Sequence, residues 1–252
     1  MPSIKPIGFF DSGMGGLSVV KTVRRLLPFE DICYYGDSVN APYGIRSPEE
    51  ILALTREGAQ YLLDQGVKAL VLACNTASGV ALAALQAVLD IPVLGIQPAL
   101  EEAQRLRRHG EILVLATPAT FKTARYGRLK ELFGRHTLDL PAPGLMDFVE
   151  RLELEGPRLK TFLEALFLPY HDKTVDVVVL GCTHYPFISA AIQPFFPDAV
   201  LIDDSPQVAK QLQMKLQALD LLTAITHPGS VSLFSSGGLE AAARMRSFLP
   251  DA

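Results

Sequence analysis

The 252-residue chain has no tryptophan, only three cysteines and a small excess of acidic over basic side chains. No two cysteines are spaced as C-x-x-C, so no disulfide framework is indicated and free thiols are expected. The formal net charge of -4 argues against a nucleic-acid partner or an anionic membrane surface, because both attract concentrated basic patches. With 49% hydrophobic and 20% charged residues, the composition is typical of a folded protein with a sizeable core.

Export and membrane insertion are both disfavoured by the sequence. The N-terminal residues lack the apolar core of a signal peptide, so we expect a cytoplasmic protein. The stretch Ala69–Leu89 carries no charged side chain and is long enough to span a bilayer. Cys74, Asn75, Thr76 and Ser78 interrupt it, however, so we interpret it as a buried strand, a polar turn and an apolar helix.

Short apolar runs rich in Val, Ile and Leu alternate with longer amphipathic stretches, which predicts an α/β fold with parallel sheets covered on both faces. The predicted strands are Ile7–Phe10, Ile32–Tyr35, Ala69–Ala73, Val93–Ile96, Ile112–Ala116, Val175–Leu180, Val200–Ile202 and Val231–Phe234. The predicted helices are Gly16–Leu27, Pro48–Gln65, Ala77–Leu89, Ala99–His109, Thr120–Phe133, Pro157–Leu168, Phe187–Phe195 and Pro206–Leu222.

The chain contains an internal repeat. Segment 69–76, ALVLACNT, aligns with segment 177–184, VVVLGCTH, so that their cysteines are in register. A weaker match relates the strand that ends before Asp11 to the strand that ends before Thr117. Two similar α/β lobes are the economical explanation of this repeat.

The lobes are predicted to share the chain unequally. A boundary is placed near Gly95–Pro98, and the segment from about Pro206 is expected to cross back to the first lobe. Lobe A then comprises residues 1–96 and 207–252, and lobe B comprises residues 97–206.

Both repeat cysteines lie where a predicted strand gives way to a helix, the edge at which α/β sheets bind ligands. A thiol near a helix N-terminus is favoured as thiolate. An isolated cysteine is more often core filling, which is our interpretation of Cys33 within its strand. For Cys74 and Cys182, two matching occurrences followed by polar residues favour a functional role.

A glycine-rich loop, Gly13–Gly16, follows the first predicted strand and precedes a helix. Its amides could hold an anion, or its glycines could serve only a tight turn. A dinucleotide fingerprint would need glycine where Ser18 stands, and no Walker lysine follows. Asp11 and Ser12 are costly at a strand end unless they face a site or are well hydrogen bonded.

Other site classes find less support. The loop that begins at Asp37 carries Tyr43 and Gly44, whose hydroxyl and amide could reach a ligand carboxylate. Cys182 and His184 could form half of a zinc site, but a third and fourth ligand at recognisable spacing are missing. The motif G-x-S-x-G does not occur, so a serine hydrolase is unsupported.

Taken together, the motifs resemble those of the glutamate racemase family. They are IGFFDSGMGGL at 7–17, YGDS at 35–38, PYG at 42–44, ACNTA at 73–77, LGCTHYP at 180–186 and, at the end of the similarity, FSSGG at 234–238. The resemblance implies two pseudo-symmetric α/β lobes with the active site between them. It also implies interconversion of L- and D-glutamate without pyridoxal phosphate, other cofactor or metal, and a supply of D-glutamate for peptidoglycan. Because family members often dimerise, it is compatible with a homodimer.

The resemblance also implies roles for individual residues. Cys74 and Cys182 would be the acid/base pair, Cys74 acting on D-glutamate and Cys182 on L-glutamate, assisted by Asp11 and His184 respectively. The chain departs from the family at 141–143, where Pro-Ala-Pro replaces a usual Cys-Pro. The residues that would bind substrate are Asp11, Ser12, Tyr43, Gly44, Asn75, Thr76, Thr117, Thr120, Glu150, Thr183 and His184.

Two alternatives stay open at this point. A racemase of aspartate or another acidic amino acid would use the same fold and differ in the side-chain length that its pocket accepts. From a different class, a nucleotide- or anion-binding module would use the Gly13–Gly16 loop and have inert cysteines. Protection of the thiols by glutamate during alkylation would separate the enzyme from the module.

Overall fold

The computed structural model describes residues 3–249. The strands within this range are β1 (Ile7–Asp11), β2 (Ile32–Gly36), β3 (Ala69–Leu72), β4 (Val93–Gly95), β5 (Glu111–Ala116), β6 (Thr137–Pro141), β7 (Val175–Leu180), β8 (Val200–Ile202) and β9 (Val231–Ser235). The α-helices are α1 (Leu17–Leu26), α2 (Pro48–Asp64), α3 (Asn75–Gln86), α4 (Leu100–Leu106), α5 (Pro118–Phe121), α6 (Ala124–Phe133), α7 (Leu145–Glu150), α8 (Pro157–Phe167), α9 (Ser189–Ile192), α10 (Ser205–Ala218) and α11 (Gly238–Arg246).

The strands form two parallel sheets that share one strand order. The first sheet runs β4-β3-β1-β2-β9 and the second runs β6-β5-β7-β8. When the second is traced from its other edge, β8-β7-β5-β6 corresponds strand for strand to β4-β3-β1-β2. This correspondence confirms the predicted α/β fold with two pseudo-symmetric parallel sheets.

The C-terminal strand returns to the first sheet, where Ile32 of β2 is in register with Val231 of β9. This pairing agrees with the expectation that the last segment crosses back. The lobe limits themselves, 1–96 with 207–252 and 97–206, stay a prediction, and residues 1–2 and 250–252 of lobe A lie outside the described range.

The central strands are apolar because helices cover both of their faces. Every residue of β1, β3 and β7 is buried, as parallel strands between two helical layers require. Helix α2 begins with a capping box, in which the Ser47 hydroxyl accepts the Glu50 amide and the Glu50 carboxylate accepts the Ser47 amide. These local signals explain why the positions of these elements could be predicted.

Other elements differ from the sequence prediction. Strand β6 was not predicted, because it is only partly buried and carries Asp139, which accepts hydrogen bonds from Tyr126 and Lys130. The single helix predicted over 120–133 is divided into α5 and α6, because the Thr123 hydroxyl caps a new helix. Helices α7 and α11 were also not predicted.

The uncharged stretch 69–89 forms β3, a turn and α3, as its polar residues indicated. Across residues 3–249, no helix combines the length and apolarity that crossing a bilayer requires. The turn between β3 and α3 carries Cys74, and it lies at the carboxyl edge of the first sheet. The corresponding turn after β7 carries Cys182 at the carboxyl edge of the second sheet.

Candidate active site

Residues from both sheets line one closed cavity at the carboxyl ends of the strands. The residues that line it are Ser12, Tyr43, Gly44, Cys74, Asn75, Thr76, Thr117, Met146, Gly181, Cys182, Thr183 and His184. Its volume of about 10 Å³ has room for roughly one water molecule. A cleft of about 440 Å³ between α4 and α10 and a shallow groove of about 640 Å³ beside Lys68 are larger, but neither is lined by a cysteine or histidine. The small cavity is therefore the candidate active site.

Cys74 reaches the cavity because β3 ends two residues before it and α3 begins directly after it. Its Sγ lies 3.5 Å from Ser12 Oγ and accepts the Ala77 amide at 3.4 Å, so the thiol caps the helix. The helix N-terminus alone favours a thiolate. Burial, followed by the charge of Asp11, outweighs this effect and raises the pKa of the Cys74 thiol to about 12.

Cys182 follows β7 and pairs with a buried histidine. Its Sγ lies 3.6 Å from His184 Nδ1, and His184 Nε2 lies 2.7 Å from Glu150 Oε1. Burial opposes a charged imidazole, but hydrogen bonds with Cys182 and Glu150 outweigh it and raise the pKa of His184 well above its ordinary value. When it is protonated, the ring donates one N–H towards the sulfur and the other to the carboxylate. The second thiol therefore has a cationic neighbour.

The Glu150 carboxylate is tied to the glycine-rich loop of the first lobe. Its Oε1 accepts the Met14 amide at 2.8 Å as well as the His184 ring. Burial disfavours its charge, but the bonds from His184 and Met14 lower the pKa of Glu150. A Cβ on Gly13 would lie 2.1 Å from Glu150 Oε1, and one on Gly15 would lie 2.3 Å from His184 Nδ1. The glycines thus allow the loop to approach the histidine–glutamate pair.

This arrangement bears on the alternative of an anion-binding module. The Met14 amide already donates to a carboxylate of the protein itself, and the Gly13 amide donates to Asp11 Oδ1 at 2.8 Å. The loop amides therefore hold internal carboxylates, which disfavours a phosphate site there.

Asp11 is fully buried at the end of β1. Its Oδ1 accepts the Gly13 amide, and its Oδ2 accepts the Thr183 hydroxyl at 3.0 Å. Burial raises the pKa of Asp11, although the charge of His184 and the Gly13 amide oppose the shift. The family resemblance implied that Asp11 assists Cys74, and this role stays a prediction. Its hydrogen bonds go to Gly13 and to Thr183, the residue that follows Cys182.

Three threonines form a triangle of hydroxyls between the lobes. Thr76 Oγ1 lies 2.9 Å from Thr117 Oγ1 and 3.2 Å from Thr120 Oγ1, and the last two are 3.0 Å apart. Thr76 and Thr117 line the cavity, whereas Thr120 lies behind them. A Cβ on Gly44 would lie 2.8 Å from Thr117 Cβ, which explains glycine at that position.

Tyr43 lies on the cavity wall, but its hydroxyl is already committed. It donates to Asp37 Oδ2 at 2.6 Å, and the Asn40 amide donates to both oxygens of the same carboxylate. The sequence indicated that this hydroxyl could reach a ligand carboxylate, and that role stays a prediction. In the structure it orients the ring against the wall, and Asp37 is the residue that holds it.

Sequence reasoning missed two residues that line the cavity, Met146 and Gly181. Met146 lies on α7, a helix that the apolar pattern did not reveal, and Gly181 could have been found only as the neighbour of Cys182. Asp11, Thr120 and Glu150 lie one layer behind the wall and act through hydrogen bonds to residues on it. Within the described part of the chain, no group of three or more histidine, cysteine, aspartate or glutamate side chains is arranged to hold a metal ion.

Comparisons with known proteins agree with this architecture. Residues 12–212 match the model of the Asp/Glu/hydantoin racemase family. A glutamate racemase of Clostridium botulinum is 42% identical over 236 residues, which cover 92% of this chain and 91% of the relative.

Solved structures extend the likeness to the fold. The glutamate racemase isoform RacE1 from Bacillus anthracis superposes with a TM-score of 0.88 at 32% identity, over 98% of this chain and 94% of that one. A glutamate racemase from Francisella tularensis in complex with D-glutamate has a TM-score of 0.83 at 30% identity, with the same coverage of 98% and 94%. The chain belongs to the Asp/Glu/hydantoin racemase family, and within it to the glutamate racemases.

Proposed function

We propose that the chain interconverts L- and D-glutamate, with Cys74 and Cys182 exchanging a proton with opposite faces of the substrate's α-carbon. The observation that carries this proposal is that two thiols, at matching strand ends of two sheets, line one cavity. Inversion of a stereocentre by proton transfer requires a base on one face and an acid on the other. Two cysteines from opposite lobes provide such a pair.

The proton balance follows from one thiolate and one thiol. In the direction from L to D, the Cys182 thiolate removes the α-proton and becomes a thiol, which leaves a carbanion. The Cys74 thiol then donates its proton to the opposite face and becomes the thiolate. The reverse direction exchanges the two roles, and no metal or organic cofactor enters the proposed steps.

The carbanion is stabilised where preorganised donors surround the α-carboxylate. Among residues 3–249, no lysine or arginine lines the cavity, so His184 is the cationic side chain on its wall. We propose that Ser12, Asn75, Thr76, Thr117 and Thr183 bind the substrate, with the Gly44 amide beside them. Hydroxyl and amide N–H groups among them would donate to its carboxylates, and hydroxyl or side-chain carbonyl oxygens would accept from its ammonium.

Substrate entry requires the walls to separate. A cavity of about 10 Å³ is far smaller than a five-carbon dicarboxylate, so we propose that the lobes move apart to admit glutamate. The contacts that would have to give way include the threonine triangle, the Thr183–Asp11 bond and the Met14–Glu150 bond, because they hold the two lobes together around the cavity.

The test is incubation of the purified protein with L-glutamate in deuterated water, without added cofactor. We expect D-glutamate that carries deuterium at the α-carbon. We further predict that Cys74→Ala and Cys182→Ala each abolish racemisation, whereas Cys33→Ala, which removes a buried thiol from β2 outside the cavity, retains it. Substantial turnover by either of the first two variants would refute the two-base scheme.

Aspartate is the main competing substrate, because the fold does not by itself fix side-chain length. Comparison of kcat/KM for glutamate and aspartate decides between them, and we expect glutamate to be favoured, as the names of the relatives suggest. We also propose that the D-glutamate serves peptidoglycan synthesis in the cytoplasm. A homodimer belongs to the same proposal, and sedimentation of the purified chain tests it.

A further inference from the structure

Ser18 makes a hydrogen bond that crosses between the lobes. It lies in the first turn of α1, and its hydroxyl is 2.9 Å from the Gly15 carbonyl and 2.9 Å from the Thr183 carbonyl. Its side chain is buried. Because Thr183 directly follows Cys182, a hydroxyl of the first lobe holds the main chain that carries the thiol of the second.

The first lobe holds Thr183 at two points. Its carbonyl accepts from Ser18, and its own hydroxyl donates to Asp11 Oδ2 at 3.0 Å. The bond to the Thr183 carbonyl restrains the peptide plane towards His184. The plane towards Cys182 is restrained by the Tyr185 amide, which donates to the Cys182 carbonyl at 3.0 Å.

The other acceptor of Ser18 belongs to the surface on which the histidine rests. The Gly15 carbonyl accepts from the same Ser18 hydroxyl at 2.9 Å. The Gly15 Cα lies so close to His184 that a Cβ on it would be 2.3 Å from Nδ1. That nitrogen is the one that faces Cys182 Sγ at 3.6 Å. One turn of the first lobe, residues 15–18, therefore contacts both the ring and the main chain of the Cys182 loop.

We propose that Ser18 is a positioning residue for the Cys182–His184 pair and acts through the Thr183 carbonyl. The catalytic meaning of this inference rests on the proposed function, since it assumes that Cys182 is a base. It also gives a reason for serine at the position where a dinucleotide-binding loop would have glycine. Cys74 takes its contacts from Ser12 and Ala77, so the effect is confined to one thiol.

The test compares Ser18→Ala with wild type by site-resolved alkylation. Iodoacetamide modification of Cys182 and Cys74 is followed by peptide mass spectrometry across a pH series. We expect Ser18→Ala to slow modification of Cys182 at neutral pH, because the sulfur loses the aligned histidine ring that lies 3.6 Å away. The rate of Cys74 modification should stay unchanged across the pH series. The kcat for racemisation should fall about tenfold, which is the rate change expected when the free energy of one buried hydrogen bond is lost.

A matched control separates positioning from general loosening of the fold. Thr55→Val removes a buried hydroxyl that donates to the Ile51 carbonyl at 2.6 Å within α2, and it should leave both alkylation profiles and kcat unchanged. Equal changes at both cysteines, no change at Cys182, or the same pattern in Thr55→Val would overturn the proposal. If the wild-type protein does not racemise glutamate, the proposed function fails, while the alkylation comparison still decides whether Ser18 positions Cys182.

Discussion

Lys68 and Glu30 form a buried ion pair at the edge of the first sheet opposite the cavity. Their charged atoms are 2.5 Å apart, and the two side chains are 2% and 3% exposed. Lys68 Nζ also donates to the Ser3 carbonyl, and Glu30 Oε1 accepts the Thr223 amide at 2.8 Å. The pair thus connects the segments that lead into β1, β2, β3 and β9.

We predict that Lys68→Met is strongly destabilising, because it leaves the Glu30 carboxylate buried without its counter-charge. Loss of one partner of a buried pair costs about 3–5 kcal/mol. In a chain of this size, that corresponds to a fall in Tm of roughly 6–20 °C. The double variant Lys68→Met with Glu30→Met should recover much of the loss, because neither charge is then buried alone.

The measurement is a double-mutant cycle, obtained by urea unfolding and thermal melting. It compares wild type, Lys68→Met, Glu30→Met and the double variant. Racemase activity at low temperature should be retained by every variant that folds, since the pair is far from the thiols. A loss below about 1 kcal/mol in Lys68→Met, or a double variant as unstable as the sum of the singles, would refute the reasoning.

Two further predictions concern titratable groups. Wild-type Cys182 should react with iodoacetamide faster than Cys74 at neutral pH. Burial and the charge of Asp11 raise the pKa of Cys74 to about 12, whereas the ring of His184 adjoins Cys182. Faster modification of Cys74 would contradict this prediction. Burial opposes ionisation of Asp176, but hydrogen bonds from three backbone amides outweigh it and lower its pKa. The resulting stabilisation is present above the unfolded-state pKa of about 3.9 and is lost as the pH falls through the lower pKa of the folded state. Asp176→Asn should therefore make the free energy of unfolding less dependent on pH in acid. An unchanged pH dependence below about pH 4 would count against this account.

The internal repeat explains why the sequence reveals the two thiols that line the cavity. A cysteine after a continuous apolar strand, found twice with polar residues behind it, indicates both the strand and the edge at which it ends. Such a pattern depends on local order alone, so Cys74 and Cys182 could be predicted to lie at matching strand ends.

Contacts between distant segments carry no comparable signal. The sequence could suggest Tyr43 as a ligand-binding hydroxyl, but only the fold shows that Asp37 already accepts it. Met146 escaped prediction because its helix is only six residues long and follows a left-handed glycine rather than a polar cap. The role of Ser18 depends on a carbonyl 165 positions away in the chain, which no local pattern encodes.

The pairing of β9 with β2 makes the second sheet an insertion within the first. During synthesis, β1 to β4 of the first sheet leave the ribosome early. Their sheet still lacks its edge strand, β9, until residues 231–235 have been made. The inserted lobe has all four of its strands well before then and is free to fold first. We therefore expect the sheet that carries Cys74 to be completed only after all four strands of the Cys182 sheet have been synthesised.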